Sequence, residues 1–495
     1  MLVRGIIYHT VRHLGANRLG KAAGRGNKAG MMPATINRMA LIALLTAAAL
    51  QALDITITTL ALPAVARTLH LDFEAESWIL TTYIVAMALM TPVAGVLSSA
   101  LGRRRALLAA IGGVCLASLV CGLAQSLEML LLARIAQGAA AGLITPLVQA
   151  TLLDLAPKAE HGRAMSFLGA AIMVGPVLGP SLGGMLVDAF GWRAVFFANL
   201  PIGAVAFAGI AFRLGDLPPS RKARIDFTGF TIFGCGIVGL QLLLDRGPRA
   251  GWFGAREIRA DALLALAGLA VALARALRRE NAFPALAPFR DRNFAVTTAC
   301  SFLAGFVVIG SIVLVPEMLQ SVLGHDATEA GLAMAPRGIG TMAMMLAMSR
   351  KVGTIDHRRL LLVGVFLIAL ALLGLAMVGA QSSLFAVAAL TLVQGLGVGL
   401  IFTPLSTAAF SFLAPELRAD ATGVYSLLRN VGGSTGVAVL SALALPEGAA
   451  LAQRLASYRI DFLVLLVVVC IMGAAALFIR TDLTERQEAL SAGGR

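Results

Sequence analysis

The chain has 495 residues, 58% of them hydrophobic and only 13% charged, with a mean hydropathy of +0.86. A soluble chain of this length carries about a quarter of its residues charged, so that class is excluded. The net charge of +14 sits in short segments between apolar runs; that fits the positive-inside rule of membrane proteins and argues against nucleic acid as a partner.

Residues 1–35 hold six Lys or Arg and no acid. Lacking an apolar core with a cleavage site, residues 1–37 read as a basic cytoplasmic N-terminal tail, or Met31 or Met32 is the first residue of a shorter chain. Fourteen apolar runs follow: 38–61, 78–100, 105–125, 128–152, 164–187, 192–213, 227–245, 261–277, 294–319, 329–349, 359–380, 383–407, 420–445 and 460–480. About twenty residues of helix cross a hydrocarbon core of about 30 Å, so the expected fold is an all-α polytopic membrane protein with fourteen transmembrane helices. Of the 40 Lys and Arg, 29 fall in the tails and the even-numbered loops. Only Arg67, Arg193, Arg246, Arg249, Arg256, Arg259, Arg454 and Arg459 fall in the odd loops. Both termini are therefore expected in the cytoplasm, residues 481–495 forming a C-terminal tail. The five cysteines lie inside apolar runs without metal-ligand spacing and read as small buried hydrophobes.

The chain repeats itself. QGAAAGLITPLVQATLLDLAP (137–157) and QGLGVGLIFTPLSTAAFSFLAP (394–415) align in their QG, GLI, TPL and LAP elements after one inserted residue. The two copies lie eight runs apart, an even number, so both halves share one membrane orientation. Six helices (38–213), two inserted helices with their loops (214–293) and six more (294–480) follow from that offset. Two such halves with a substrate site between them are a secondary-transporter architecture.

Charges inside the runs are costly and mark function by default. Asp54 lies sixteen residues into the first run, roughly 24 Å from the cytoplasmic face, and Arg134 about 9 Å from the outer face. The two are expected at similar depth. Arg337 and Arg429 are the candidates of the second half, either lining a water-filled cavity or pairing with backbone carbonyls. Glu317, near the outer end of its run, reads either as a solvated interfacial acid or as a group that attracts a cationic substrate on release. Asp154 and Asp188 lie at run ends, where solvation accounts for them. Gly175, Gly179 and Gly183 share one helix face, with Gly184 beside them, and Pro176 and Pro180 favour a bend. Together they read either as ordinary close packing of membrane helices or as a seam that opens and closes between the halves. Tyr83, Gln137, Phe302 and Phe306, with methionines such as Met87 and Met334, would suit a broad apolar substrate cavity, core or lipid-facing packing being the other and more frequent role for any single one.

Several ordered motifs resemble one family. These are LDITITTLALP (53–63), GVLSSALGRRRALL (95–108), LLLARIAQGAAAG (130–142), GPVLGPSLGGML (175–186), WRAVFFANLPIG (192–203) and LLDRGPRAGWF (243–253). The chain resembles the major facilitator superfamily, and within it the fourteen-span drug:proton antiporters of the EmrB/QacA type. The resemblance implies a multi-pass protein of the inner membrane that exports amphipathic, lipophilic or cationic compounds by alternating access. A proton gradient is the energy source, and no cofactor or metal is implied. Asp54 and Arg134 would couple the proton; permanent structural pairing is the other reading. The resemblance also implies that Gly95, Gly102, Arg103 and Arg104 gate the cytoplasmic side. Ser99 stands where the family has an acid, so that lock is expected to be weaker or differently built. A periplasmic adaptor and an outer-membrane channel are implied as partners beside the bilayer and the substrate. A dedicated exporter of one metabolite or lipid-like compound, or a non-transporting membrane sensor, are the alternatives. An intramembrane enzyme is disfavoured, because all six histidines lie in the tail or loops. ATP-driven transport is disfavoured by the lack of a P-loop motif.

Overall fold

The computed structural model describes residues 38–71, 73–157, 160–215, 226–248, 250–279, 283–349, 356–379, 381–410, 413–414, 417–443 and 450–480. The two tails, 1–37 and 481–495, lie outside the described residues. The described chain is helical throughout, apart from connections and two short 3-10 turns. The helices of the first half are α1 (Arg38–Leu69), α2 (Phe73–Met90), α3 (Val93–Leu101), α4 (Arg103–Gly122), α5 (Leu127–Leu155), α6 (His161–Ile172), α7 (Val174–Phe190), α8 (Arg193–Phe197) and α9 (Asn199–Arg213). The inserted pair is α10 (Phe227–Arg246) and α11 (Arg256–Arg278). The second half holds α12 (Arg292–Ser321), α13 (Ala327–Met348), α14 (His357–Ala376), α15 (Leu384–Phe410), α16 (Arg418–Leu443) and α17 (Leu451–Ala476).

Among the described residues, eleven helical segments are long and apolar enough to cross a membrane, His161–Gly179 joining α6 to the start of α7 and Arg193–Arg213 joining α8 to α9, or twelve when the bent pair α2 and α3 counts as one span. That pair turns by 56° at Pro92, which has no N–H to give the carbonyl one turn back. The break in the fifth run comes at Met173, one turn ahead of Pro176. α13 and α16 belong to the same bundle but carry Arg337, Arg429 and several glycines and hydroxyl residues, which lowers their hydropathy.

Some helices outrun their apolar runs. α1 continues through Pro63 to Leu69, so Asp54 lies near its midpoint and not close to its far end. α17 begins at Leu451, nine residues before the run that predicts it, because Arg454 and Arg459 lower the local hydropathy without interrupting the helix. As a result Asp461 stands well inside a helix, not at its start.

Two large apolar cores form, the first centred in the first half but running on into Phe294, Phe410 and Tyr425 of the second, the other within the second half. One gathers Leu44, Leu50, Ile111, Leu147 and Leu168; the other gathers Val315, Leu372, Val398, Phe462 and Leu465. The sequence repeat is visible as a shared packing device. Gly138 and Gly142 of α5 lie against the backbone of Tyr83 and Met87 in α2, while Gly395 and Gly399 of α15 lie against Arg337 and Thr341 in α13. A side chain at any of the four would meet main-chain atoms, so glycine is what allows the helices to approach this closely.

α10 of the inserted pair touches both halves. Thr81 of α2 donates to Asp245 at 2.7 Å, and Ser434 of α16 donates to Gln241 at 3.0 Å. Phe233 and Ile237 pack with Ala88 of one half and with Leu427 and Val431 of the other.

Candidate functional site

Asp54 sits on the inward stripe of α1, in line with Leu50, Ile57 and Ala61, and is 1% exposed. Its surroundings are supplied by four other helices. Arg134 and Gln137, one turn apart on α5, face it together. Ser118 comes from α4, Tyr83 from α2, and Asn199 opens α9 directly after the break at Ala198. All five are fully or almost fully buried.

Asn199 donates to Asp54 Oδ1 at 2.5 Å and Gln137 donates to the same oxygen at 2.8 Å. Arg134 Nη1 is 3.5 Å from Asp54 Oδ2 but donates to Gln137 Oε1 at 2.6 Å. Its Nε donates to the Ile79 carbonyl at 3.2 Å, and its guanidinium lies 4.0 Å from the centre of the Tyr83 ring. Ser118 accepts from Gln137 at 2.7 Å and from Asn199 at 3.2 Å. The site is thus one carboxylate and one guanidinium, joined by neutral amides in an interior without exposed atoms. A buried charge pair of this kind depends on each partner, because removing one leaves the other unmatched. Tyr83 and Gln137, expected in a substrate cavity, belong to this cluster. Asn199 and Ser118 were not anticipated; neutral polar residues are common in membrane helices and carry no signal of their own.

The glycine face of α7 packs beside this site. A Cβ on Gly179 would lie 2.5 Å from Thr56 Oγ1, and one on Gly183 would lie 3.0 Å from Leu60. Gly175 lies against the Ala52 backbone. The seam expected between the halves is therefore mainly a seam within the first half, against α1. Its described link to the second half is Val177, which meets Gly338 of α13. Nothing stands within 4 Å of a Cβ on Gly184, and the Pro180 side chain lies outside the described ones.

The halves meet at the end where the described chain begins and stops. A Cβ on Gly95 would reach the Asp420 Cα at 2.8 Å, and Gly423 lies against Pro92. Gly102, with φ of +82°, ends α3 and starts α4, a conformation that glycine adopts without strain. It aims Arg103 at Asp154, 2.6 Å away, while Arg418 from the second half stands 3.5 Å from the same carboxylate and donates to the Leu153 carbonyl at 3.3 Å. Arg104 donates to the Ala211 carbonyl. Asp154, expected to be merely solvated, is the acid of a three-charge bridge between the halves, since α5 is long enough to carry it to the start of α16. Ser166 and Thr403 add a hydroxyl contact of 3.2 Å.

In the second half, Arg337 is 5% exposed and donates to the Val308 carbonyl at 2.8 Å, the backbone pairing considered for it. Arg429 lies 5.2 Å from the Phe402 ring centre. Phe302 and Phe306 sit where α12 crosses α16, with Gly432 and Gly436 against their backbones. Glu317 is exposed at the far end of α12 and lines a cavity with Asp461.

The family model described as Major Facilitator Superfamily matches residues 44–437. The multidrug export protein EmrB of Escherichia coli is 33% identical over 404 residues, 81% of this chain and 79% of its own length. Its counterpart from Haemophilus influenzae is 35% identical over 401 residues, 80% of this chain and 78% of its own. The fatty acid resistance protein FarB of Neisseria gonorrhoeae is 33% identical over 396 residues, 80% of this chain and 78% of its own. Among solved structures, the human organic anion transporter MFSD10 (TETRAN) aligns with a TM-score of 0.63 at 16% identity, covering 87% of this chain and 99% of that one. The proton:xylose symporter XylE aligns at 0.62 and 14%, covering 90% and 96%. At such identities the structures speak for the fold alone, and the sequence relatives for the branch. The chain belongs to the major facilitator superfamily, in its EmrB/QacA-type branch.

Proposed function

We propose that this protein exports amphipathic, lipophilic or cationic compounds across the inner membrane in exchange for protons, by alternating access between its two halves. The observation that carries the reading is the fully buried Asp54, set opposite Arg134 through amide groups that do not titrate. While Asp54 is ionised, its charge and that of Arg134 match. A proton on Asp54 cancels one side of the pair and leaves a guanidinium unmatched in a medium of low dielectric, which costs several kcal/mol. A conformation that relieves this cost is favoured by that amount, and this is the coupling an antiporter needs. In this reading the bundle has fourteen spans with both termini in the cytoplasm, which makes the Arg103–Asp154–Arg418 bridge a cytoplasmic closure. A periplasmic adaptor and an outer-membrane channel would extend the path beyond that membrane.

The names of the EmrB relatives support a broad substrate range, while that of FarB favours a second reading, a dedicated exporter of lipid-like compounds. Dye transport into inverted vesicles under an imposed pH gradient tests the coupling. Asp54→Asn should abolish gradient-driven transport while dye still equilibrates down its own gradient. Equal gradient-driven transport in both proteins would remove Asp54 from the coupling step. A susceptibility panel of cationic drugs and fatty acids separates the two substrate readings.

A further inference from the structure

The end of the second half opposite the Arg103–Asp154–Arg418 bridge holds charges that the Asp54 site does not use. A cavity of about 140 Å³ lies there between α12, α16 and α17, with Glu317, Arg454, Tyr458 and Asp461 on its polar side and Val313 and Leu440 among its apolar walls. Asp461 is 1% exposed, and its Oδ1 has no hydrogen-bond partner. A carboxylate oxygen buried in this way loses its water without replacement. Glu317 stands exposed at the cavity's mouth and also borders a shallower groove formed with Ile312, Pro316 and Gln320. The Tyr458 hydroxyl is engaged with Ser321 at 2.9 Å.

The balance of charge points to a ligand. Two acids and one base line the cavity, so one positive charge is wanting. Around Asp461, Glu317 comes from α12 and Arg454 and Tyr458 from its own helix; α16 contributes Ser441, and α14 packs against α17 with apolar residues such as Leu372 and Leu375. Arg459 is turned away and donates to the Ala376 carbonyl at 3.1 Å. The missing group is a compact cation that can donate N–H to a buried oxygen, with an aliphatic tail for the walls. We propose that Glu317 and Asp461 form a binding site for the primary ammonium head of an amphipathic amine, Glu317 admitting the charge and Asp461 receiving it.

The proposal needs no proton gradient, so its failure and that of proton-coupled export are separate results. Calorimetric titration of the full chain in detergent with octylammonium at neutral pH tests it, with octanol as the uncharged control. Saturable binding is expected for the amine and not for octanol. Glu317→Gln and Asp461→Asn should each weaken it at least tenfold, and Glu257→Gln, at an exposed acid of α11 paired with Arg246, should leave it unchanged. Arg454→Gln should tighten binding several-fold, a gain that a misfolded protein does not produce. Affinity should fall as the pH is lowered and protons compete for the two carboxylates. Binding that survives both acid substitutions, that octanol reproduces, or that is lost with Glu257→Gln overturns the site. So does a pH-dependent carboxyl infrared band lost in Asp461→Asn without amine binding, which would make the pair a holder of protons only.

Discussion

Arg134 stands closer to Gln137 than to Asp54, and Gln137 in turn donates to Asp54, so part of the attraction between the two charges passes through a side chain that does not titrate. Gln137→Leu keeps the volume and removes both links. It should lower unfolding stability in detergent by about 1–3 kcal/mol, the cost of stranding buried polar partners, and reduce gradient-driven transport by roughly tenfold or more. Thermal unfolding and vesicle transport on the same preparation check both effects. Asp54 and Arg134 were legible in the sequence because an ionised group in a long apolar run is expensive enough to need a reason. Asn199 and Ser118 were not, since a neutral amide or hydroxyl costs little until one knows that a carboxylate faces it. Asp461 was hidden differently: its helix begins nine residues ahead of the apolar run, so a buried acid looked like an end residue.

At the scale of elements, the glycine face of α7 makes a sharp contrast testable. Gly179→Val should cost about 1–3 kcal/mol, because its Cβ would collide with Thr56, which is itself bonded to the Ala52 carbonyl at 2.7 Å. Gly184→Ala, with open space around it, should stay within about 0.5 kcal/mol of wild type. The inserted pair has a capping acid of its own. Asp226 accepts from the Gly229 amide at 3.0 Å, from Arg275 of α11 at 2.7 Å and from the Phe283 amide at 3.3 Å. Burial opposes its ionisation, but the Gly229 amide, Arg275 and the Phe283 amide outweigh it and hold the carboxyl below its usual range. A depressed folded pKa gives stability above the unfolded value, near pH ~3.9 for Asp, and loses it as the pH falls through the lower folded value. The unfolding midpoint of wild type should therefore exceed that of Asp226→Asn by a constant margin above about pH 5, and the margin should shrink below about pH 4. Helix existence was readable from the apolar runs. Helix ends were not, because Pro63 removes only one bond of its ladder and the arginines of α17 remove none, so the helices run on past the apolar runs.

For the whole molecule, the closed end rests on an acid from a different place than the motif suggested. With Ser99 in place of an acid near the end of α3, Asp154 takes two arginines, one from each half. Asp154→Asn leaves Arg103 and Arg418 facing each other without a counter-charge, and that end should open. Spin labels at Ser99 and Leu417 should show one narrow distance in the wild type and a broader, longer distribution in the variant. An unchanged distribution would mean that the glycine contacts at Gly95 and Gly423 suffice alone. One repeated helix predicts two related halves, but nothing in the sequence predicts this bridge, because it joins residues 315 positions apart (Arg103 and Arg418) that only the folded chain brings together.

α10, hydrogen-bonded to α2 on one side and to α16 on the other, adds an asymmetry that the twofold repeat lacks. A bilayer is a two-dimensional reservoir, and a greasy compound dissolved in it arrives sideways. On the flank where α2 meets α16 such a compound meets a wall of Phe233 and Ile237, with their partners from both halves, in place of a doorway. The insertion therefore shutters the flank where α2 and α16 meet.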